Sequence, residues 1–218
     1  MKNKLKFYSL MVTVFFLLST HLYAQSDPKS VDVLKSVSAK YKSLSSVKAE
    51  FTIAQEAEKG KSSDKQKGTI ILKGKKYKLD IAGQEIINDG ATNWSFLKEA
   101  NEIQISDASE NDAAVSPANI FTMYEKGFLS KYIDEKMEGG KTIINIELTP
   151  TDKSKKIFKI KLRIDKSEKL VVSAKIFDKN GNHYTYSVDK FTPNFAAPDN
   201  LFTMDAKAHP KAEIIDLR

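Results

Sequence analysis

The chain has 218 residues, no cysteine, 41% apolar residues and a formal net charge of +7. This composition fits one folded domain and excludes a disulfide-rich or low-complexity protein. The positive excess consists of isolated lysines without a recognition motif, so we do not expect a nucleic-acid binder.

The first residues predict a secretory signal peptide over positions 1–24. Three lysines fall within residues 1–6, an apolar run follows from Phe7 to Leu18, and Ala24 offers a cleavage site. The run is shorter than the about 20 residues that cross a bilayer. We expect export, one mature domain over residues 25–218 and a soluble periplasmic product, because no cysteine is present to carry a lipid anchor. Removing the three lysines lowers the formal net charge from +7 to +4.

The mature chain is predicted to begin with an amphipathic helix. Asp27 suits the N-cap and Pro28 the first helical position, and apolar residues recur at helical spacing up to Leu44. The alternation over Val47–Ile53 then predicts a half-buried strand. The charged stretch from Glu56 to Lys67 is interpreted as a connection between strands.

From Gly68 onward, short alternating segments predict an antiparallel meander of about ten or eleven strands. Asp89-Gly90 and Asn180-Gly181 predict hairpin turns, because glycine tolerates the positive φ that such turns need. The strand after Asp89-Gly90 places Trp94 and Phe96 on one face, either in an ordinary core or on the wall of an apolar cavity. Later apolar strand positions alternate with charges, as in Phe158, Ile160, Leu162 and Ile164.

A helix predicted over roughly 117–126 interrupts the sheet, starting at Ser116-Pro117. Its apolar residues spread around more than one face, which predicts either burial on two sides or coverage of something other than protein. The residues concerned are Ile120, Phe121, Met123 and Tyr124, with Phe128 close behind.

The residues needed for catalysis or metal binding do not form a recognisable set. There is no Gly-x-Ser-x-Gly elbow, no phosphate-binding glycine loop and no paired His or Cys ligands. His183 and His209 are isolated, and the acids from Asp107 to Asp112 lack the glycine and the final glutamate of a calcium loop. We therefore expect no enzyme activity, no metal and no cofactor, with an exported hydrolase as the least favoured alternative.

The sequence resembles the outer-membrane lipoprotein carrier (LolA) family. The resemblance rests on the segment Tyr41–Phe51, the strand Lys67–Lys73 and the hairpin from Asn88 to Trp94, in this order and spacing. It implies an α+β fold, in which a half-open antiparallel β-barrel carries a helical lid over its concave apolar face. It also implies a monomeric periplasmic carrier that moves acylated lipoproteins from the inner to the outer membrane. An inner-membrane lipoprotein-releasing complex would load it, and an outer-membrane receptor would unload it.

The resemblance also implies a lipid cavity and a lid. The cavity would be lined by Ile70, Leu72, Tyr77, Leu79, Trp94 and Phe96, and the lid would contain Ile120, Phe121, Met123, Tyr124 and Phe128. Family members carry an Arg-Pro that latches the lid, whereas this chain has Lys73-Gly74-Lys75-Lys76 at that place. A second interpretation remains open, namely a module of the same fold that binds another lipid or senses the envelope through a protein partner.

Overall fold

The computed structural model describes residues 25–56, 62–108 and 122–218. This part of the chain contains one α-helix, α1 (Pro28–Lys42), and three short 3-10 helices, η1 (Met123–Glu125), η2 (Asp199–Phe202) and η3 (Ala206–Ala208). The strands are β1 (Val47–Glu56), β2 (Ser62–Lys73), β3 (Lys76–Ile81), β4 (Gln84–Asn88), β5 (Thr92–Leu97), β6 (Glu102–Asp107), β7 (Phe128–Glu138), β8 (Lys141–Pro150), β9 (Ile157–Asp165), β10 (Leu170–Asp178), β11 (His183–Pro193) and β12 (Glu213–Asp216). No helix in these ranges combines the length and the apolar character that crossing a bilayer requires.

Helix α1 starts as predicted and is attached to the sheet by its own N-cap. The Asp27 carboxylate accepts a hydrogen bond from Lys29 N at 2.9 Å, and its other oxygen accepts one from Tyr132 N at 3.1 Å. Asp27 N also donates to Ser130 O at 2.8 Å. The same residue therefore caps the helix and pairs with strand β7.

The twelve strands form one sheet in the order β12-β6-β5-β4-β3-β2-β1-β11-β10-β9-β8-β7. Neighbouring strands are antiparallel except β12, which pairs with β6 in parallel. The first and last strands of this order do not pair with each other, so the sheet is open, and this confirms the predicted half-open antiparallel architecture.

One face of the sheet, called here the core face, packs against α1. Leu34, Val37 and Tyr41 of the helix are buried in a single cluster with side chains of β1–β3 and β8–β10. Tyr41 fixes the helix further, because its hydroxyl accepts a hydrogen bond from Val171 N at 3.2 Å and its ring lies edge-on to Phe191. Directly paired residues in antiparallel strands project to the same face, so the strand register assigns each side chain to a face.

The opposite, outer face is covered at β3–β6 by the chain that follows β11. Phe202 of η2 is 0% exposed, η2 contacts β3, and Ile87, Phe96 and Ile103 are buried outside the α1 cluster. Further along, the His209 ring lies 4.2 Å from the Phe96 ring, between centroids. The core face is thus buried mainly at β1–β3 and β8–β10, whereas the outer face is buried at β3–β6.

Three elements differ from the sequence predictions. Strand β2 begins at Ser62, so part of the charged stretch assigned to a connection pairs with β1. Strand β7 was not predicted, because it is an edge strand rich in Lys, Asp and Glu without a clear apolar alternation. The spacing of Phe202 and Met204 suggests one last strand, but Phe202 lies in η2, and the final strand is β12.

Candidate functional site

An accessible apolar surface lies on the core face around the ends of β1, β3, β4 and β11. Ile53 pairs with Tyr186, Gly68 pairs with Ile81, and Leu79 pairs with Ile86, so these side chains share the face. We call the half-buried members of this surface the open patch; they are Ile53, Ile81, Ile86, Tyr184, Tyr186 and Val188. Each packs against the buried cluster and still keeps part of its surface available to a ligand.

Four of the predicted cavity residues lie on the core face beside the open patch. Ile70 and Leu79 pair with each other and are almost fully buried, so they support the patch from within the core. Leu72 and Tyr77 form the next pair along these strands and are half-buried. The structure therefore brings these four residues together on one face. The pair Ile70 and Leu79 is buried, and the pair Leu72 and Tyr77 is accessible.

The core face becomes polar beyond β4, which limits the apolar surface on this side. Tyr77 lies at the boundary, where its hydroxyl donates to Asn93 Oδ1 at 3.2 Å. Asn88 Nδ2 donates to the same oxygen at 2.6 Å. Ile86 pairs with Ser95, which pairs in turn with Gln104. An apolar ligand on the core face would thus extend from β4 toward β11 and not toward β6.

Trp94 and Phe96 do not lie on this face. In strand β5, Trp94 pairs with Ile87 and Phe96 pairs with Glu85. Ile86 lies between Glu85 and Ile87 in strand β4, and its side chain belongs to the core face. Because side chains alternate along a strand, both aromatic residues project to the outer face. The prediction that they share a cavity wall with Ile70 is therefore wrong. On the outer face, the Phe96 ring packs under the C-terminal segment instead.

The predicted lid residues fall into three places. Ile120 and Phe121 lie outside the described residues. Met123 and Tyr124 belong to η1, where Tyr124 is buried against α1 and Glu125 forms an ion pair with Lys42 at 2.9 Å. Phe128 is the first residue of β7 and pairs with Pro150, so it is part of the sheet and not of a lid helix.

A groove of about 430 Å³ runs between α1 and these lid residues. Leu34 and Ser38 line its helix side, and Tyr124 and Phe128 line the other side. Burial raises the pKa of Tyr124 to about 12, which marks the groove wall as poorly hydrated.

Within the open patch, the Tyr186 hydroxyl is partly shielded from water. Burial raises the pKa of Tyr186, and the neighbouring Tyr184 adds to the shift because two phenolates would repel each other. In the middle of the patch, Gly68 leaves room for the Phe51 ring, since a Cβ there would lie 2.5 Å from Phe51 Cζ. Between Val188 and Ile81, the Phe51 ring therefore lies over this glycine and, being buried, supports the open patch from within the core.

Lys73 stands where family members carry the Arg-Pro, and its side chain forms hydrogen bonds on the outer face rather than on the core face. Its Nζ donates to Ala197 O at 3.0 Å and to Asp199 Oδ1 at 3.2 Å, and Lys76 Nζ reaches the same carboxylate at 3.3 Å. These lysines flank Leu72 and Tyr77, so the alternation puts them on the outer face. They hold the C-terminal segment against the β2–β3 hairpin.

The side chains at the open patch are suited to binding. Within residues 25–56, 62–108 and 122–218, no group of three or more His, Asp or Glu side chains could hold a metal ion. The open patch presents only aliphatic and tyrosine side chains, which suit an apolar ligand.

None of the six members of the open patch was predicted as a site residue. Their alternation with polar neighbours predicted strands but not a ligand surface. The sequence feature that could have indicated this surface is the pair Tyr184 and Tyr186 on one face of β11. Tyrosine is a large side chain with a polar tip, and such side chains often stay half-exposed at binding surfaces.

Comparison with known proteins agrees with this fold. The sequence matches the family described as "Outer membrane lipoprotein carrier protein LolA" over residues 42–205. No curated protein matches it.

Several solved bacterial structures are similar to this chain. An uncharacterized conserved protein from Thermus thermophilus has a TM-score of 0.58 at 11% identity, covering 86% of this chain and 99% of that chain. A LolA superfamily protein from Nitrosomonas europaea has a TM-score of 0.45 at 15% identity, covering 81% and 98%. The Mycobacterium tuberculosis lipoprotein LppX has a TM-score of 0.49 at 13% identity, covering 79% and 99%. With the family match over residues 42–205, the chain belongs to the outer membrane lipoprotein carrier protein LolA family and is a LolA-like binding module.

Proposed function

We propose that this protein is a periplasmic carrier that binds the acyl chains of lipoproteins on its core face. The open patch is the observation that carries the proposal, because it is a contiguous apolar surface left half-exposed beside a well-packed core. An ordinary core would bury these side chains, and isolated exposed apolar residues would not share one face.

The energetics explain why such a cargo needs a carrier. Each methylene transferred out of water gains ~0.8 kcal/mol, so an acyl chain of about sixteen carbons left in water costs roughly 12 kcal/mol. A surface that covers part of the chain offsets much of this cost and still permits release. The half-buried character of the patch is consistent with both requirements.

The proposed direction of transport and the proposed partners are those that membership of this family suggests. The carrier would take an acylated lipoprotein from a releasing complex in the inner membrane and pass it to a receptor at the outer membrane. No catalytic step is required, since the cargo is transferred between apolar sites.

A matched pair of substitutions tests the site with a fluorescent fatty-acyl probe. Ile81→Ser changes a half-buried isoleucine of the open patch, and Ile105→Ser changes a half-buried isoleucine that pairs with Trp94 on the outer face. We expect Ile81→Ser to weaken probe binding by roughly tenfold, the equivalent of about two methylenes, and Ile105→Ser to leave it unchanged.

The melting temperature of each variant separates binding from stability. Equal loss of probe binding in both variants would mean that the probe reports stability and not a site. Weaker binding in Ile105→Ser alone would move the site to the outer face. Capture of a protein partner by lipid-free protein, with no probe uptake by the unsubstituted protein, would favour the alternative of a protein-binding module.

A further inference from the structure

Two phenylalanines lie outside the core at the end of β9 and β10. The register of β9 and β10 skips Phe158, since Phe177 pairs with Lys159 and Asp178 pairs with Ile157. This bulge turns Phe158 out of the core-face alternation and leaves it 44% exposed. Its ring lies 6.2 Å from that of Phe177, between centroids, on the outer face.

Lysines surround these rings. The Nζ atoms of Lys159, Lys161 and Lys175 lie 5.0, 5.6 and 5.7 Å from the Phe177 centroid. Lys161 and Lys175 are directly opposite each other on paired strands, a like-charge arrangement that disfavours folding.

The lysines differ in their acidic neighbours. Lys175 forms an ion pair with Glu56 at 2.5 Å, and Lys161 pairs across strands with Glu147. Lys159 forms no ion pair with any described residue. The charge of this surface is therefore only partly neutralised within the described chain.

The β8–β9 loop adds further lysines at the same end of the sheet. Lys153, Lys155 and Lys156 belong to this loop, and Lys179 N donates to Lys156 O at 2.9 Å, which holds the loop against the β10–β11 hairpin. None of these four side chains forms an ion pair within residues 25–56, 62–108 and 122–218.

The two acids nearest to them in sequence are occupied by their own turns. Asp152 accepts hydrogen bonds from the backbone and side chain of Ser154. Asp178 accepts hydrogen bonds from Asn180 and Asn182. Among the described residues these two acids therefore form no ion pair with the lysines at this end, although Lys179 Nζ donates to Lys153 O and Lys155 Nζ lies 5.7 Å from the Phe128 ring centroid.

We propose that this basic aromatic surface docks the protein on a bilayer that contains anionic phospholipids. Lysines near such a surface each gain about 1 kcal/mol from its negative potential, and exposed aromatic rings insert at the headgroup level. Phe158 is placed to insert while Lys156 and Lys159 beside it meet the headgroups.

The ring geometry favours a bilayer over single-stranded nucleic acid. Stacking of bases needs an open ring face, but Phe158 and Phe177 are tilted by 57° to each other. The His183 ring lies 4.6 Å from Phe177, and three lysines approach the same ring. Shallow insertion of one exposed ring needs no such face.

The docking surface is distinct from the open patch. Lys159, Lys161, Lys175 and Phe177 project from the outer face, and the open patch lies on the core face. Docking would therefore bring the protein to a membrane without using the acyl site, and the proposal stands whether or not the protein carries lipoproteins.

Co-sedimentation with vesicles tests the proposal on the full exported protein. Vesicles of equal parts phosphatidylglycerol and phosphatidylcholine are compared with vesicles of phosphatidylcholine alone. We expect binding to the anionic vesicles only, and its loss in about 0.5 M salt, where screening shortens the reach of each charge to a few ångströms.

Two pairs of variants locate the surface. Lys156→Ser with Lys159→Ser removes docking charge, and Lys207→Ser with Lys211→Ser removes two exposed lysines of the C-terminal segment. Phe158→Ser removes the inserting ring, and Met137→Ser changes a side chain that is 71% exposed at the far end of β7. We expect each docking variant to bind roughly tenfold more weakly, and each control to stay within about twofold of the unsubstituted protein.

Several results would overturn the proposal. These are absence of vesicle binding, equal binding to neutral vesicles, equal losses in docking and control variants, and tighter binding to a single-stranded oligonucleotide than to anionic vesicles. Melting temperatures show whether the variants are folded, because all the substituted side chains are exposed or half-exposed. Uptake of the acyl probe is measured separately and is expected to be unchanged in the docking variants.

Discussion

Asp165 shows how a single buried charge stabilises the end of the sheet. It is 1% exposed, lies 2.8 Å from Lys141 Nζ, and accepts hydrogen bonds from Ser167 Oγ at 2.7 Å and Glu168 N at 3.1 Å. Burial opposes its ionisation, but these donors together outweigh burial and lower the pKa of Asp165 to about 2. The folded protein therefore favours the charged form more than the unfolded chain does.

The sign of this shift predicts acid sensitivity. Because the folded pKa lies below the unfolded value of about 3.9, the stabilisation is present above pH ~4 and is lost as the pH falls toward 2. We expect Asp165→Asn to lower the free energy of unfolding at neutral pH by ~2 kcal/mol and to flatten the loss of stability in acid. Urea unfolding at neutral pH and at about pH 3 measures both effects.

Asp216 provides the control for this prediction. Hydrogen bonds from Arg218 lower its pKa to about 2 as well, but both groups are exposed at the chain end. Solvent screens such a pair, so Asp216→Asn should leave the unfolding curve unchanged. A larger loss in Asp216→Asn than in Asp165→Asn would contradict the assignment of the buried pair.

Gly68 links packing to the proposed site. A Cβ at this position would meet Phe51 Cζ at 2.5 Å and Asp80 O at 2.9 Å, so the ring or the backbone must move. We expect Gly68→Ala to destabilise the protein by ~1–3 kcal/mol and to weaken acyl-probe binding, because the displaced ring enters the open patch. Thermal unfolding and probe titration measure the two effects.

The neighbouring substitution Thr69→Ala serves as the control. Thr69 is half-buried and projects to the outer face, so its truncation should affect neither the ring nor the probe. Unchanged stability in Gly68→Ala would show that the ring moves freely and that the glycine is not required there.

At the scale of elements, the C-terminal segment depends on one buried ring more than on its ion pairs. Phe202 is 0% exposed, whereas the Asp199 side chain that meets Lys73 and Lys76 is 71% exposed. We expect Phe202→Ala to cost ~3–5 kcal/mol and Asp199→Ala to cost far less, because solvent screens its exposed ion pairs. Urea unfolding ranks the two, and hydrogen exchange at Ile103 and Ile105 reports whether β12 leaves β6.

Probe binding gives this prediction a second readout. The segment covers the outer face, so Asp199→Ala should bind the acyl probe as the unsubstituted protein does. Loss of probe binding in a stable Asp199→Ala variant would show that the lysines control the acyl site after all.

How far each element could be predicted depended on whether its signal was local. The cap at Asp27 and Pro28 and the turn at Asp89-Gly90 are set by nearby residues, and both formed as expected. Strand β7 escaped prediction because an edge strand carries charges where a central strand carries apolar residues.

The same argument applies to the site. Alternation predicted that Trp94 and Phe96 share a face, but which face they occupy depends on the pairing of β4 with β3, and a slip of one residue reverses it. Phe202 and His209 cover that face from more than 100 positions further along the chain, a contact that no local pattern encodes. The family resemblance assigned Ile70, Leu72, Tyr77 and Leu79 to one cavity wall, and the register of the β2–β3 hairpin places all four on one face.

At the scale of the whole molecule, the open sheet presents three separate surfaces. The core face packs under α1 and leaves the open patch accessible, the outer face at β3–β6 is closed by the C-terminal segment, and the outer face at β9–β10 carries the lysines. A closed barrel would have no such division, because its inner face would be filled by its own side chains.

The most direct test of the carrier proposal is native mass spectrometry of the protein purified from the periplasm without detergent. We expect a fraction with the added mass of an acyl lipid or lipopeptide, and we expect that fraction to fall in Ile81→Ser, in line with its weaker probe binding, and to be unchanged in Ile105→Ser. A single species at the mass of the processed chain, with no lipid in solvent extracts and no uptake of the acyl probe, would contradict the central claim.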